Sequence, residues 1–291
     1  MKSIVNIGKL LVSIACVGAL TTSCNSDFLD RPPLGTLDEV TYLSTKDAGY
    51  KLLVNCYQPL QDSWNYQDMK FVLGDQLSDD CSKGGSDAGD RVRITEIARG
   101  TPMATNQVLS DLWTHRYQTA ISACNVFLSL ITPESELIDD AGGLVSTETK
   151  QRWIAEAQFM RAFYYYLLTS FFGDVPFYTE HVADVETQQK IGRLGRMSAV
   201  ETREYLIKEL SAIVPLMDQV RSSEVASNRT GAATGWMLIA KMAMWNKKWD
   251  TAIDAISKLE EIYGDLGQYP LEDVMFRNKN TPESIFEIQH S

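Results

Sequence analysis

The chain has 291 residues, of which 44% are hydrophobic and 22% are charged. This balance is typical of a globular protein with a substantial core, organised as one large domain or two small ones. The formal net charge of −11 argues against nucleic acids and anionic lipid head groups as partners, because binding to phosphates requires Lys and Arg side chains.

The first 23 residues predict a secretory signal peptide. Lys2 and Lys9 precede the apolar run Leu10–Leu20, and small polar residues then lead to Cys24. That order is typical of a cleaved signal, and the run has about half of the ~20 apolar residues that a membrane-spanning helix needs. A cysteine at the cleavage point is typical of a bacterial lipobox, in which the Cys24 thiol is acylated. An ordinary signal peptide with an incidental cysteine is the alternative.

Acylation at Cys24 would anchor the mature protein to a membrane without spanning it, because each buried CH₂ contributes about 0.8 kcal/mol. Residues 24–43 are interpreted as a lipidated tether, since they contain Pro32-Pro33 and have no helical periodicity. The folded domain is therefore expected over residues 44–291.

Three further cysteines remain in the mature chain: Cys56, Cys81 and Cys124. Their spacing has no CxxC or Cys/His pattern, so it does not indicate a zinc site. One disulfide would be compatible with an oxidising compartment, but the spacing does not assign a pair. Cys56 and Cys124 lie on apolar helical faces, which favours two small buried hydrophobic residues.

Helices are predicted wherever apolar residues recur with i, i+3, i+4 spacing. Ser44 and Asp47 are interpreted as the capping box that starts the first helix, and Ser198 and Glu201 as the same pair at a later one. The predicted helices cover residues 44–60, 105–131, 149–172, 198–220, 231–246 and 249–263, and the start of a strand is predicted over 284–289. Residues 62–103 are the least regular part of the chain, and irregular segments of this length are usually functional or disordered.

The last two predicted helices match the spacing of a tetratricopeptide repeat. Small residues, Ala240 and Ala252, fall where two antiparallel helices approach most closely. The larger residues of the pattern are Trp236, Ile239, Ile256 and Leu259. An ordinary helical hairpin is the alternative, but one hairpin cannot bury its own apolar face, so neighbouring helices must stack on it. The expected fold class is therefore all-α, a tetratricopeptide-like helical-repeat scaffold with long irregular loops.

The segment Ala155–Tyr166, followed by Phe172-Gly173-Asp174-Val175-Pro176, resembles the signature of the SusD/RagB family of outer-membrane nutrient-binding lipoproteins. The lipobox, the helix around Trp113 and the closing segment 284–289 are also similar, in the same order. The resemblance implies a surface-exposed, lipid-anchored protein of the outer membrane. Asp27 and Asp30, just after the lipidation site, resemble the family's signal for export to the cell surface. It also implies capture of oligosaccharides and delivery to a TonB-dependent, SusC-like transporter barrel. Members of the family continue well beyond the position of Ser291, so this chain is expected to be a truncated form without the C-terminal part of the family fold.

Sugar binding needs aromatic faces that stack on pyranose rings and polar groups that bond hydroxyls. Trp64, Asn65 and Tyr66 supply both kinds of group within the irregular segment. The alternative is that the two aromatic residues pin this segment to the core. Polar candidates further along the same segment are Asp79, Asp80, Lys83 and Arg91. In contrast, five aromatic residues on apolar helical faces are expected in the core: Trp113, Trp153, Tyr164, Tyr165 and Tyr166. Arg161 is expected to form a buried or half-buried pair.

No enzyme signature accompanies His115, His181 or His290, so catalysis is not predicted. Calcium ligation by the acidic residues of the irregular segment is an alternative to a solvated loop, and these residues are Asp75, Asp79, Asp80, Asp87 and Asp90. No metal and no cofactor are expected. The predicted function is capture of oligosaccharides and their delivery to the transporter. The alternative is a helical-repeat module that docks on the transporter without binding a ligand.

Overall fold

The computed structural model describes residues 39–61, 71–87, 89–265, 268–270, 272 and 278–288. The chain divides into two units, Met1–Ser44 and Thr45–Ser291. In the first unit, helix α1 spans Glu39–Leu43. The predicted signal peptide and the lipidation site Cys24 lie outside the described residues. Within the described part, no helix combines the length and the apolar character that crossing a bilayer requires.

The second unit is mainly helical. Its elements are helices α2 (Ala48–Tyr57), α3 (Val92–Ala98), α4 (Gln107–Trp113), α5 (Ser122–Leu130), α6 (Thr147–Phe172), α7 (Val185–Gly192), α8 (Ala199–Ile213), α9 (Ala232–Trp245) and α10 (Trp249–Tyr263), with strands β1 (Val175–Pro176) and β2 (Arg196–Met197). The two short strands pair antiparallel, with Val175 opposite Met197. A π-helical segment, Thr114–Ile121, joins α4 to α5 without a break.

Helix α6 is the centre of the fold. The Ser146 hydroxyl caps its first turn, and Gly173, with a φ of 69°, ends it. Helices α2, α5, α8 and α9 all pack against it, which explains why its second half is apolar almost all round. Tyr164 and Tyr165 are fully buried, as expected, and their hydroxyls donate to the carbonyl oxygens of Cys56 and Tyr178.

Helices α9 and α10 form the predicted hairpin. Ile239, Ala240, Ala252 and Leu259 are buried between them and the neighbouring helices, whereas Trp236 and Ile256 are half-buried. The capping box of α8 is confirmed, since the Glu201 N–H donates to the Ser198 hydroxyl and the Glu201 carboxylate accepts from the Ser198 N–H. The all-α, tetratricopeptide-like fold class is therefore confirmed.

Three details of the predicted helices are wrong. Helix α2 begins at Ala48, after Asp47 in a left-handed conformation, and the Ser44 hydroxyl donates to the Thr41 carbonyl oxygen instead of capping α2. Helix α8 ends at Ile213, well before residue 220, because Pro215 in the next turn has no N–H for the helical ladder. The helix predicted from residue 105 begins at Gln107, where Asn106 caps it.

The predicted strand at the end of the chain is absent over residues 284–288, and residue 289 lies outside the described residues. The backbone carbonyls of this segment accept hydrogen bonds from side chains instead of from a neighbouring strand. Ser284 accepts from the Tyr263 hydroxyl at 2.6 Å, and Ile285 accepts from the Ser222 hydroxyl at 2.5 Å. The apolar residues of this segment are half-buried against the helices, as Ile285 is against Leu259 and Tyr263, and they do not pair in a sheet.

Candidate functional site

A small hydrophobic cluster positions the described part of the irregular segment. Val72, Ile94 and Ile97 are buried together, so that α3 packs against the turn that starts at Phe71. The Asn106 side chain fixes the other side of α3, because it donates to the Arg93 carbonyl oxygen at 2.8 Å and to the Glu96 carboxylate at 2.7 Å. Residues 76–87 and 89–91 thus lie between two segments that pack against each other.

Within this segment, the Lys83 side chain contacts Asp90. Its amine donates to the Asp90 carbonyl oxygen and is 3.9 Å from the Asp90 carboxylate, and its side chain is only 12% exposed. Gly85 allows this approach because its φ is +128°, and a Cβ there would collide with the Asp90 carboxylate. The Lys83 charge is therefore held in place and does not move freely in solvent.

Two open clefts share Lys83 in their linings. The first, of about 660 Å³, is lined by Asp79, Cys81, Lys83, Asp87, Thr95 and Arg99 among others. The second, of about 410 Å³, is lined by Gln76, Lys83, Asp90 and Arg91 together with apolar residues of the cluster. Both volumes are within the range of small-ligand sites. We call these two clefts together the Lys83 site.

The Lys83 site contains some of the sequence-predicted residues and not others. Asp79 and Lys83 line the first cleft, and Lys83 and Arg91 line the second. Asp80 is exposed and lines neither cleft, and its backbone N–H donates to the Ser78 hydroxyl. Trp64, Asn65 and Tyr66 lie outside the described residues. No aromatic side chain lines either cleft among the residues that the structure describes.

Gln76 lines the Lys83 site but is not among the residues predicted from the sequence. It is 6% exposed and lines the second cleft, and its Oε1 atom has no hydrogen-bond partner in the described part of the chain. An unpaired buried carbonyl oxygen costs about 1–3 kcal/mol, which makes it a natural acceptor for a ligand hydroxyl. A single glutamine in an irregular segment gives no periodicity or motif that could have marked it.

Two of the acidic residues of this segment are engaged by other groups of the protein. Asp90 pairs with Lys83, and Asp87 accepts from the backbone N–H of Gly89 at 2.7 Å. Within residues 71–87 and 89–99, as in the rest of the described chain, no group of three His, Cys, Asp or Glu side chains is placed to hold a metal ion.

A separate aromatic cavity of about 240 Å³ lies between α2 and residues 227–229. It is lined by Tyr50, Tyr57, Arg229 and Phe286, with other residues of the same segments. Beneath it, the Tyr57 hydroxyl donates to the Glu156 carboxylate at 2.8 Å and lies 2.7 Å from the Thr230 hydroxyl. Burial raises the pKa of Glu156 to about 7, although Arg229, 3.6 Å away, acts in the opposite direction. This carboxyl group is therefore part of the core and changes charge near neutral pH.

Comparisons with known proteins agree with the fold. The chain is 23% identical over 263 residues to SusD-like protein P25 of Formosa agariphila, an alignment that covers 86% of this chain and 46% of the relative. A SusD superfamily protein from Bacteroides vulgatus superposes with a TM-score of 0.65 at 18% identity, over 85% of this chain and 50% of that one.

Surface glycan-binding protein A from Bacteroides thetaiotaomicron, solved in complex with laminarihexaose, superposes with a TM-score of 0.64 at 21% identity. That alignment covers 83% of this chain and 49% of the other. At these identities the superpositions establish the fold alone, and the chain spans about half the length of the relatives that it matches. Residues 27–237 match the SusD-like family described as "Starch-binding associating with outer membrane". The resemblance stated above is thereby confirmed, and this chain belongs to the SusD-like family.

Proposed function

We propose that this chain is the helical part of a cell-surface lipoprotein that binds oligosaccharides and hands them to a TonB-dependent, SusC-like transporter barrel. The match of residues 27–237 to a family described as starch-binding carries this proposal. A relative of the same fold was solved with laminarihexaose, which supports an oligosaccharide as the class of ligand. The SusD-like family is non-catalytic, so the mechanism is capture and release without bond breaking.

The proposed domain organisation places the membrane anchor before the scaffold. Residues 1–23 act as the signal peptide, residues 24–43 as the lipidated tether and residues 44–291 as the helical-repeat domain. Acylated Cys24 holds the protein in the outer membrane, with the scaffold exposed at the cell surface. The family description, which includes association with the outer membrane, supports this location.

The proposed ligand site combines the Lys83 site with the aromatic residues that precede it. Trp64 and Tyr66 supply faces for pyranose rings, and Asn65, Asp79 and Arg91 supply groups that bond hydroxyls, with Asp80 exposed beside the clefts. Lys83 is held by Asp90 in a fixed position, which reduces the entropy lost when a sugar binds. Gln76 adds a buried acceptor that has no partner among the described residues.

We expect the Trp64→Ala variant to bind oligosaccharide at least ten-fold more weakly than the parent chain, a loss of about 1.4 kcal/mol. The physical reason is the loss of the aromatic face that stacks on a pyranose ring. Calorimetric titration of the chain from residue 25 onward with laminarihexaose and maltohexaose measures this difference. Trp249→Ala is the matched control, because Trp249 is 59% exposed at the start of α10, far along the chain from the site.

The outcome of this titration separates the proposed function from its alternative. Equal affinities for the Trp64 and Trp249 variants would remove Trp64 from the site. An absence of heat with every oligosaccharide tested would favour the docking module, in which the scaffold contacts the transporter without a ligand.

We expect Gln76→Met to weaken oligosaccharide binding about ten-fold without lowering stability. The substitution removes the acceptor and also removes an unpaired buried carbonyl oxygen, so the free energy of unfolding stays constant or rises by about 1 kcal/mol. Titration calorimetry and urea denaturation of the same preparation give both numbers. A variant that loses stability in parallel with affinity would assign Gln76 a structural role.

A further inference from the structure

Two of the cysteines lie together in the core. Cys56 on α2 and Cys124 on α5 are both completely buried, and these two helices pack against each other. The Cys56 Sγ atom is 3.8 Å from the carbonyl oxygen of Ala123, the residue that precedes Cys124. The Cys124 thiol acts on the Cys56 thiol and raises its pKa, so the two side chains are near neighbours at the contact between the helices.

The third cysteine has a different environment. Cys81 is partly exposed and lines the first cleft of the Lys83 site, on a segment supported by α3. Among Cys56, Cys81 and Cys124, the fold therefore places only one pair close together, a choice that the spacing in sequence left open. All three are free thiols in the structure.

We propose that Cys56 and Cys124 form a disulfide bond that joins α2 to α5. The reaction is thiol–disulfide exchange with a donor disulfide, such as that of a protein oxidoreductase or oxidised glutathione. One cysteine thiolate attacks the donor disulfide to give a mixed disulfide, and the second thiolate displaces the donor. The two cysteines are oxidised by two electrons, the S–S bond of the donor is cleaved, and the two protons pass to the donor thiols.

The order of folding and oxidation follows from burial. The thiolate is the attacking species, and the neighbouring Cys124 thiol together with burial raises the pKa of Cys56 well above its usual range. The packed pair is therefore protonated and shielded, and the exchange takes place while the chain is still open. An exported chain meets oxidising conditions in that state, and in this respect the inference rests on the proposed secretion.

The bond would connect residues far apart in the chain. It closes the loop of residues 57–123, which contains the whole irregular segment and α3, α4 and the π-helical segment. Cross-linking a loop of this length restricts the unfolded chain strongly. The consequence is a higher thermal midpoint for the oxidised protein than for the reduced protein, by roughly 5 °C or more.

The test is a count of free thiols in the chain from residue 25 onward, which contains these three cysteines alone. The chain is refolded in a mixture of reduced and oxidised glutathione, denatured without reductant, alkylated with iodoacetamide and weighed by mass spectrometry. We expect one alkylated thiol, Cys81, and three after reduction, with peptide mapping that recovers a Cys56–Cys124 cross-link. This readout does not depend on secretion or on sugar binding.

Two variants sharpen the assignment. Cys81→Ser is expected to carry no alkylated thiol before reduction, and the double variant Cys56→Ala, Cys124→Ala is expected to melt at the same temperature with and without reductant. Three alkylated thiols in the parent chain after oxidative refolding would overturn the proposal. A cross-link that contains Cys81, or a reductant effect that persists in the double variant, would overturn it as well.

Discussion

Replacement of Arg161 by leucine is expected to lower the free energy of unfolding by about 3 kcal/mol or more. The Arg161 side chain is 5% exposed, and it donates to the Glu209 carboxylate at 2.5 Å and to the Asn125 amide oxygen at 3.0 Å. Asn125 in turn donates to the Glu180 carbonyl oxygen at 3.2 Å. One guanidinium group therefore joins α5, α6 and α8. Its loss leaves the Asn125 amide oxygen without this donor and leaves the Glu209 carboxylate with the long 3.5 Å hydrogen bond from the Gln158 amide.

A matched control comes from an exposed ion pair of similar length. Lys190 and Glu180 are 2.7 Å apart, but their side chains are 62% and 51% exposed. Lys190→Ala is expected to change stability by less than about 1 kcal/mol, because solvent screens the exposed pair. The double variant Arg161→Leu, Glu209→Leu is expected to recover part of the stability, since it leaves no buried charge unpaired. Urea denaturation measures all three, and equal losses for Arg161→Leu and Lys190→Ala would contradict the prediction.

Glu156 is expected to make the protein less stable as the pH rises from about 4.5 to about 7. Burial raises the pKa of this carboxyl group in the folded state to about 7, from an ordinary value of 4.5. The folded state therefore binds a proton that the unfolded state has already released in this range, and the free energy of unfolding falls with increasing pH. The contribution is fully present below pH 4.5 and is lost by about pH 7, with a size of roughly 3 kcal/mol.

The Glu156→Gln variant isolates this effect from the other carboxyl groups. A glutamine still accepts from the Tyr57 hydroxyl and does not titrate, so the difference in unfolding free energy between variant and parent should shift in favour of the variant by roughly 3 kcal/mol between pH 4.5 and pH 7.5. Glu204→Gln is the control, because Glu204 is 43% exposed in its pair with Lys248. A difference that stays constant with pH would show that Glu156 ionises normally.

Local chemistry explains which parts of the fold could be predicted. Ser198 with Glu201, and Gly173 at the end of α6, act on neighbouring backbone groups, so their effect does not depend on the rest of the molecule. Prediction failed where a more distant or competing contact decided the outcome. The apolar residues of segment 284–288 suggest a strand, but the hydroxyl groups of Tyr263 and Ser222 donate to the carbonyl oxygens of Ser284 and Ile285.

The candidate site was predicted only in part for the same reason. Asp79, Lys83 and Arg91 are candidates by residue type. The chain between Val72 and α3 brings them to the two clefts. Residue type did not distinguish Asp80, which lines neither cleft. It also did not mark Gln76, whose importance depends on its burial and on an unpaired oxygen atom.

The sequence by itself determined the all-α class, the hairpin of α9 and α10 and the buried character of α6, because helical periodicity and capping act within a few residues of the chain. The family followed from the resemblance of the segments 155–166 and 172–176 to its signature. The tertiary structure alone decided the partners of Arg161, the environment of Glu156, the proximity of α2 and α5 that carry Cys56 and Cys124, and the shape of the Lys83 site. Each of these depends on distances between groups that lie far apart in sequence, and such distances are set only when the helices pack.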